Sequence, residues 1–292
     1  MKRFAKLLLV VLMVLAMGLT LAACGGETDV PEPPVGESEG TVPEVAEETD
    51  GTFRVGMECG YAPFNWTQMD DSKGAVPIES GYYAGGYDVE IAKILADSMN
   101  KELVIVKTDW EGLIPALQSG TIDAVIAGMS PTAERKESID FSSNYYKSDL
   151  VMVVRADSEY AEATSIQDFS GAKVTAQLGT FHYTVIPQIE GVEMQTAMES
   201  FPAMRVALES GVIDGYVSER PEGVSATTAN PNFAMVSFEE GFATAEDDVA
   251  IAVGLLKGSE LLEPINAELA TISLDQQIAI MDQAILDQPA AE

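Results

Sequence analysis

Pro115–Ser130 reads PALQSGTIDAVIAGMS, and Val206–Pro221 reads VALESGVIDGYVSERP. Aligned without gaps, six of the sixteen positions are identical: Ala, Leu, Ser, Gly, Ile and Asp. Each copy is the end of a helix, a glycine that closes it, and an apolar strand that starts at Asp123 or Asp214. One helix–glycine–strand unit is common, but here it recurs at the same place in two similarly ordered series. The first series runs FRVGM (Phe53–Met57), DVEIAKILADSM (Asp88–Met99), LVIV (Leu103–Val106), GLIPALQSG and DAVIAG. The second begins near Lys173 and runs AKVTAQLG, EGVEMQTA, AMRVALESG, IDGYV and FAMVSF. Short strands without polar alternation, separated by helices, predict mainly parallel sheets covered on both faces. The fold class is therefore α/β, built as two related lobes.

A further apolar strand, VAIAVGLL (Val249–Leu256), and two amphipathic stretches (Leu261–Ile272 and Gln276–Leu286) complete the first lobe better than the second. The chain then crosses between lobes twice, with hinges expected near Tyr146–Val153 and Phe242–Asp248. Lobe 1 is predicted over 52–148 and 246–292, lobe 2 over 149–245. The repeat makes Ala127 and Gly128 equivalent to Ser218 and Glu219, at the carboxyl ends of matching strands. Ligands of open α/β sheets bind beyond those ends, so two lobes facing each other there make a cleft.

Composition narrows the function. The chain has 292 residues and a formal net charge of −31, from 47 acids against 16 Lys and Arg. Such a surface cannot neutralise a row of phosphates, which argues against a nucleic-acid partner. Two cysteines (Cys24 and Cys59) exclude a disulfide scaffold, and the single histidine, His182, argues against a multi-histidine metal centre. No cofactor is expected.

The chain starts MKRFAKLLLVVLMVLAMGLTLAAC. A basic front, an apolar run over Leu7–Met17 and small residues before Cys24 make 1–24 a secretory signal peptide by pattern, with a plain membrane helix disfavoured by the short apolar part. Leu21–Cys24 resembles a bacterial lipobox, which implies lipidation of Cys24. Residues 25–51 hold nine acids, four prolines, no Lys or Arg and no aromatic residue. That stretch cannot bury enough apolar surface to offset its ordering entropy, and is predicted to be a disordered tether.

Candidate ligand groups lie at strand ends. Ser130, Pro131 and Thr132 suit a helix N-cap, and Arg135 one turn later can grip a carboxylate through two parallel hydrogen bonds. The same arginine also reads as a surface residue paired with Glu134 or Glu137. Glu219 offers a carboxylate at the matching edge of the other lobe, or else a surface turn with Arg220. If both face one cleft, an α-amino acid has the charges to join them. Tyr61, Phe64, Trp66 and Trp110 lie on loops where rings can stack on a ligand, although core packing is the default for any one of them. Glu58 ends an apolar strand, where it meets a cationic side chain or is merely solvated. Gln177–Thr180 (QLGT) is a turn whose backbone N–H groups can share a carboxylate. His182 can titrate in the physiological range, although a lone histidine more often satisfies a local hydrogen bond, and Cys59 reads as a small buried residue.

Together YAPF (61–64), GYDVEIAK (86–93), IDAVIAGMSPTAERKESIDFS (122–142), QLGT (177–180) and IDGYVSERP (213–221) resemble the amino-acid-binding proteins of ABC uptake systems. These form the polar-amino-acid branch of the periplasmic binding protein fold. The resemblance implies two α/β lobes on a two-strand hinge that close on one polar or cationic L-amino acid. It also implies a monomer, held outside the cytoplasm by its lipid anchor, on a Gram-positive surface or in a periplasm, that delivers to an ABC permease and catalyses nothing. By position it assigns the ligand carboxylate to Arg135, Ser130 and the backbone at Thr180. It assigns the ammonium to Glu219, Ser130 and the carbonyl of Ala127 or Gly128, and the side chain to Tyr61, Trp110 and Glu58. The family more often has Asp where Glu219 stands, and Thr67–Gly85 is longer than the usual hairpin. The rival readings are a cyclohexadienyl-dehydratase-like enzyme of the same fold, a ligand-sensing module, and a structural surface lipoprotein.

Overall fold

The computed structural model describes residues 51–289. The predicted signal peptide (1–24) with Cys24, and all of the acidic tether except Gly51, lie outside the described residues.

The chain enters through β1 (Thr52–Met57) and makes four short strands, β2 (Gly60–Tyr61), β3 (Asn65–Gln68), β4 (Val76–Pro77) and β5 (Tyr83–Gly85). These pair as a small sheet in the order β2-β3-β5-β4, so the long Thr67–Gly85 stretch carries the end of β3, β4 and β5, joined by irregular chain and short helical turns. Next come α1 (Tyr87–Ser98), β6 (Glu102–Lys107), α2 (Leu113–Gln118), β7 (Ala124–Val125), α3 (Ala133–Ser138) and β8 (Asp140–Lys147). The second series is β9 (Leu150–Arg155), β10 (Lys173–Thr175), α4 (Phe181–Val185), β11 (Glu193–Met194), α5 (Phe201–Glu209), β12 (Gly215–Glu219), α6 (Arg220–Ala229) and β13 (Phe233–Val236). The chain returns as β14 (Ala250–Leu255) and ends in α7 (Leu262–Leu269) and α8 (Leu274–Asp287).

Two five-stranded sheets result, ordered β6-β1-β7-β14-β8 and β11-β10-β12-β9-β13. Each has the same plan. The first strand of its series sits between the second and third, and one antiparallel strand separates the third from the fourth. That antiparallel strand is β14 in one sheet and β9 in the other, each the strand formed as the chain arrives from the other sheet. This is the two-lobed α/β architecture expected from the sequence, with mixed rather than purely parallel sheets.

The internal repeat explains the equivalence residue by residue. Leu117 and Leu208 are fully buried, each contributing roughly 1.5–3 kcal/mol by leaving water. The Ser119 and Ser210 hydroxyls donate back to the helix carbonyls of Ala116 and Val206. Gly120 and Gly211 both adopt φ +73°, a left-handed turn that a side chain would strain. Ile122 and Ile213 are buried beneath the turn. The Asp123 carboxylate then accepts the Arg54 backbone N–H on β1 at 2.7 Å, and that of Asp214 accepts the Lys173 N–H on β10 at 2.9 Å. Each aspartate thus clips a third strand to a first. An arginine covers each clip, Arg54 on Asp123 at 2.6 Å and Arg155 on Asp214 at 3.4 Å.

Two local expectations change. DAVIAG pairs as a strand only at Ala124–Val125, because Gly128 turns to φ +63° and carries the chain out of the sheet. The segment after β12 contains α6, a helix that the reading of the sequence passes over.

Candidate functional site

The strand ends of the two sheets meet at a small cavity of about 10 Å³, lined by Tyr61, Trp110, Gly128, Ser130, Arg135, Gln177, Thr180, Phe181, His182 and Phe201. Tyr61 ends β2, Trp110 follows β6, Gly128 and Ser130 follow β7 and Arg135 is on α3, while the rest come from the turn after β10, the start of α4 and the start of α5. Most of the candidate residues therefore converge from two distant stretches of sequence. Glu219 stands just behind this lining through its bond to Tyr61, and Glu58 through its bond to Gln177. Ala127 is buried next to Gly128 without lining the cavity.

Arg135 is positioned by its helix start. Thr132 caps α3, its hydroxyl accepting the Arg135 backbone N–H at 3.3 Å. The guanidinium lies 5.1 Å from the centre of the Trp110 ring and donates to the carbonyls of Ser130 (2.9 Å) and Gly179 (3.1 Å). It forms no ion pair with Glu134 or Glu137, so the surface reading does not describe it. Burial lowers its pKa to about 10, which leaves it charged at neutral pH, with a planar fork suited to a carboxylate.

Glu219 ends β12 and is 1 % exposed. Its Oε2 accepts the Tyr61 phenol at 2.5 Å, while its Oε1 is buried with no hydrogen-bond partner. Burial raises its pKa to about 7, partly offset by that phenol. Tyr61 also stacks on Phe201 (ring centres 4.3 Å apart) and on Phe64 (4.9 Å), so one side chain holds both sides of the cleft. Phe201 gave no signal of a site role in the sequence. Its place follows from Ser200, which caps α5 and starts that helix at the cleft wall.

Glu58 accepts Gln177 Nε2 at 3.0 Å, and burial raises its pKa as well. On the far side it lines a larger cavity of about 550 Å³ with Asp109, Trp110, Glu111, Gly112, Leu178, Glu199 and Ser200. Four carboxylates and no cation form that wall. Cys59 is buried, as read from the sequence, with its thiol pushed up to about 12 by that burial.

Behind the site, buried Asp88 accepts Tyr145 Oη at 2.7 Å and Asn65 Nδ2 at 2.8 Å. Tyr145 Oη in turn accepts the Gly128 N–H at 3.3 Å. This network fixes the strand end that the sequence assigns to the ligand, and explains why the aspartate of GYDVEIAK is buried.

Residues 53–286 match the family model described as bacterial extracellular solute-binding proteins, family 3. A probable histidine-binding protein from Campylobacter jejuni is 32 % identical over 67 % of this chain and 72 % of its own. The L-cystine-binding protein TcyJ of Escherichia coli is 29 % identical over 84 % and 85 %. Among solved structures, an ancestral arginine-binding protein bound to arginine is 30 % identical, with a TM-score of 0.66 over 80 % of this chain and 97 % of that one. With its duplicated sheets, crossing strands and convergent cleft residues, this chain belongs to the bacterial extracellular solute-binding proteins, family 3.

Proposed function

We propose that this protein captures an L-amino acid with a cationic side chain between its two lobes and hands it to the permease of an ABC importer. The lobes are residues 52–148 with 246–292, and residues 149–245, and they swing on the crossings near Tyr146–Val153 and Phe242–Asp248. Cys24 carries the lipid that keeps the protein, as a monomer, at the outer face of the cell membrane. No covalent chemistry is involved.

The observation that supports this reading is that Arg135 of one lobe lines the cavity while Glu219 of the other stands directly behind that lining, bonded to Tyr61. Arg135 takes the ligand carboxylate with Ser130 and the backbone at Thr180. Glu219 takes the ammonium with Ser130 and the carbonyl of Ala127 or Gly128. Tyr61, Trp110 and Gln177 flank the side chain, and Glu58 receives its distal charge. A zwitterion then joins the lobes through both ends, and differential affinity of this kind is what favours closure. The groups that grip the ligand here pair with each other, Tyr61 with Glu219 and Arg135 with the Gly179 carbonyl. Binding replaces the guanidinium–carbonyl contact of Arg135 by a guanidinium–carboxylate pair and gives the unpartnered Glu219 Oε1 an ammonium, so that both partners of each bond carry charge.

The cationic preference draws support from the cavity beyond Glu58, whose four carboxylates come from both lobes. The names of relatives are compatible with it, since they include histidine- and arginine-binding proteins as well as a cystine-binding one. A thermal-shift panel of the twenty common amino acids and cystine tests the reading. Arginine, lysine or histidine is expected to raise Tm by several degrees. Stabilisation by glutamine or cystine but by no cationic amino acid rejects the cationic assignment, and stabilisation by none rejects amino-acid capture.

A further inference from the structure

Three buried polar atoms, two of His182 and one of Glu219, are left over in one corner of the cleft. His182, on the first turn of α4, is 5 % exposed, and neither Nδ1 nor Nε2 has a hydrogen-bond partner. Glu219 Oε1 lies 4.0 Å from His182 Nε2 and is likewise unpartnered. Buried polar groups are almost always satisfied, so such a cluster calls for a donor from outside the protein. The two do not satisfy each other, since 4.0 Å is too long for a hydrogen bond. Burial, with the nearby charge of Arg135, lowers the His182 pKa to about 3, so the ring is neutral and one of its nitrogens can only accept. With the ring proton on Nδ1, Nε2 and Glu219 Oε1 are two acceptors 4.0 Å apart, and both can be reached by one nitrogen that stands about 2.9 Å from each and carries at least two hydrogens. An alkylammonium is such a group.

We propose that His182 is a direct ligand of the substrate's α-ammonium, sharing it with Glu219. This assignment rests on the amino-acid-capture reading above and adds a residue that neither the family resemblance nor the sequence pattern supplies. It also accounts for the tolerance of a glutamate where the family more often has an aspartate. The longer acid directs its free oxygen toward the imidazole, which closes the coordination from the other side.

The test is calorimetry with L-arginine and with 5-guanidinopentanoate, the same molecule without its α-ammonium. Wild type is compared with His182→Leu and with His182→Gln, which keeps an acceptor. His182→Leu is expected to weaken L-arginine about tenfold, the effect of one charge-assisted hydrogen bond, and to leave 5-guanidinopentanoate within twofold. His182→Gln recovers most of the loss. Equal losses for both ligands, or no loss for L-arginine, overturn the proposal. Should His182→Leu fail to fold, the wild-type imidazole 15N shifts decide. The accepting nitrogen should move on addition of L-arginine and stay fixed with 5-guanidinopentanoate; no movement with L-arginine overturns the assignment. Failure of wild type to bind any of L-arginine, L-lysine and L-histidine is a separate result, which removes the capture reading and this inference with it.

Discussion

Glu219 must be charged to hold an ammonium, yet its burial favours the neutral acid and raises its pKa to about 7. A ligand that binds only the ionised form must displace a proton below that value. Affinity for L-arginine is therefore expected to fall toward about tenfold per pH unit between 6.5 and 5, measurable by calorimetry across that range. Stability without ligand should move the other way. Glu219, Asp88 (raised to about 6) and Glu58 (raised) all bind protons more tightly folded than unfolded. Their contribution is fully present below the unfolded carboxylate range and is lost as pH rises through the folded values; buried His182, lowered to about 3, acts in the opposite sense below about pH 6.5, so Tm should drop from pH 6.5 to 7.5. Gly128 gives a second test at this scale. It sits at φ +63°, and a Cβ there would meet Tyr61 Cε1 at 2.7 Å. Gly128→Ala should cost about 1–3 kcal/mol in denaturant unfolding and push Tyr61 off Glu219, weakening ligand binding as well.

Elements show where sequence and structure part. The repeat was legible because its six shared residues each do a local job: a helix end, a left-handed turn, a buried strand start and a backbone clip. The small sheet was hidden by strands of two to four residues, too short to show alternation. Helix α6 was hidden because RPEGVSATTA carries a proline, a glycine and two threonines, all poor in helix interiors. Packing overrides that propensity: Gly223 lets the helix lie against β9 and β13, where a Cβ would meet Met235 Sδ at 2.7 Å and Val151 Cγ2 at 3.0 Å. Fully buried Glu222 on α6 accepts Arg205 of α5 at 2.8 and 3.1 Å and Tyr216 of β12 at 2.9 Å. Removing the cation alone leaves a buried charge uncompensated. Arg205→Ala should destabilise by about 3–5 kcal/mol in urea unfolding while leaving the affinity of the folded protein for L-arginine within about threefold.

For the whole molecule, the strand-end cleft was legible from the repeat, because equivalent strands place their carboxyl ends alike. What the two edges do to each other was not. The Tyr61–Glu219 bond, the Tyr61–Phe201 stack and the Gln177–Glu58 bond join residues far apart in sequence, and they depend on how two rigid sheets are set together. The same is true of α8, whose neighbour Gln288 meets Ser225 on α6 of the second sheet. The candidate residues were therefore named by position along the chain, while their partners came from the assembly of lobes. The central claim is that opposite lobes grip opposite ends of one amino acid. Calorimetric titration of L-arginine into wild type, Arg135→Ala and Glu219→Gln tests it most directly. A loss of about 100-fold or more is expected for each variant, as when one member of a buried charged pair is removed. Wild-type affinity in either variant would contradict it.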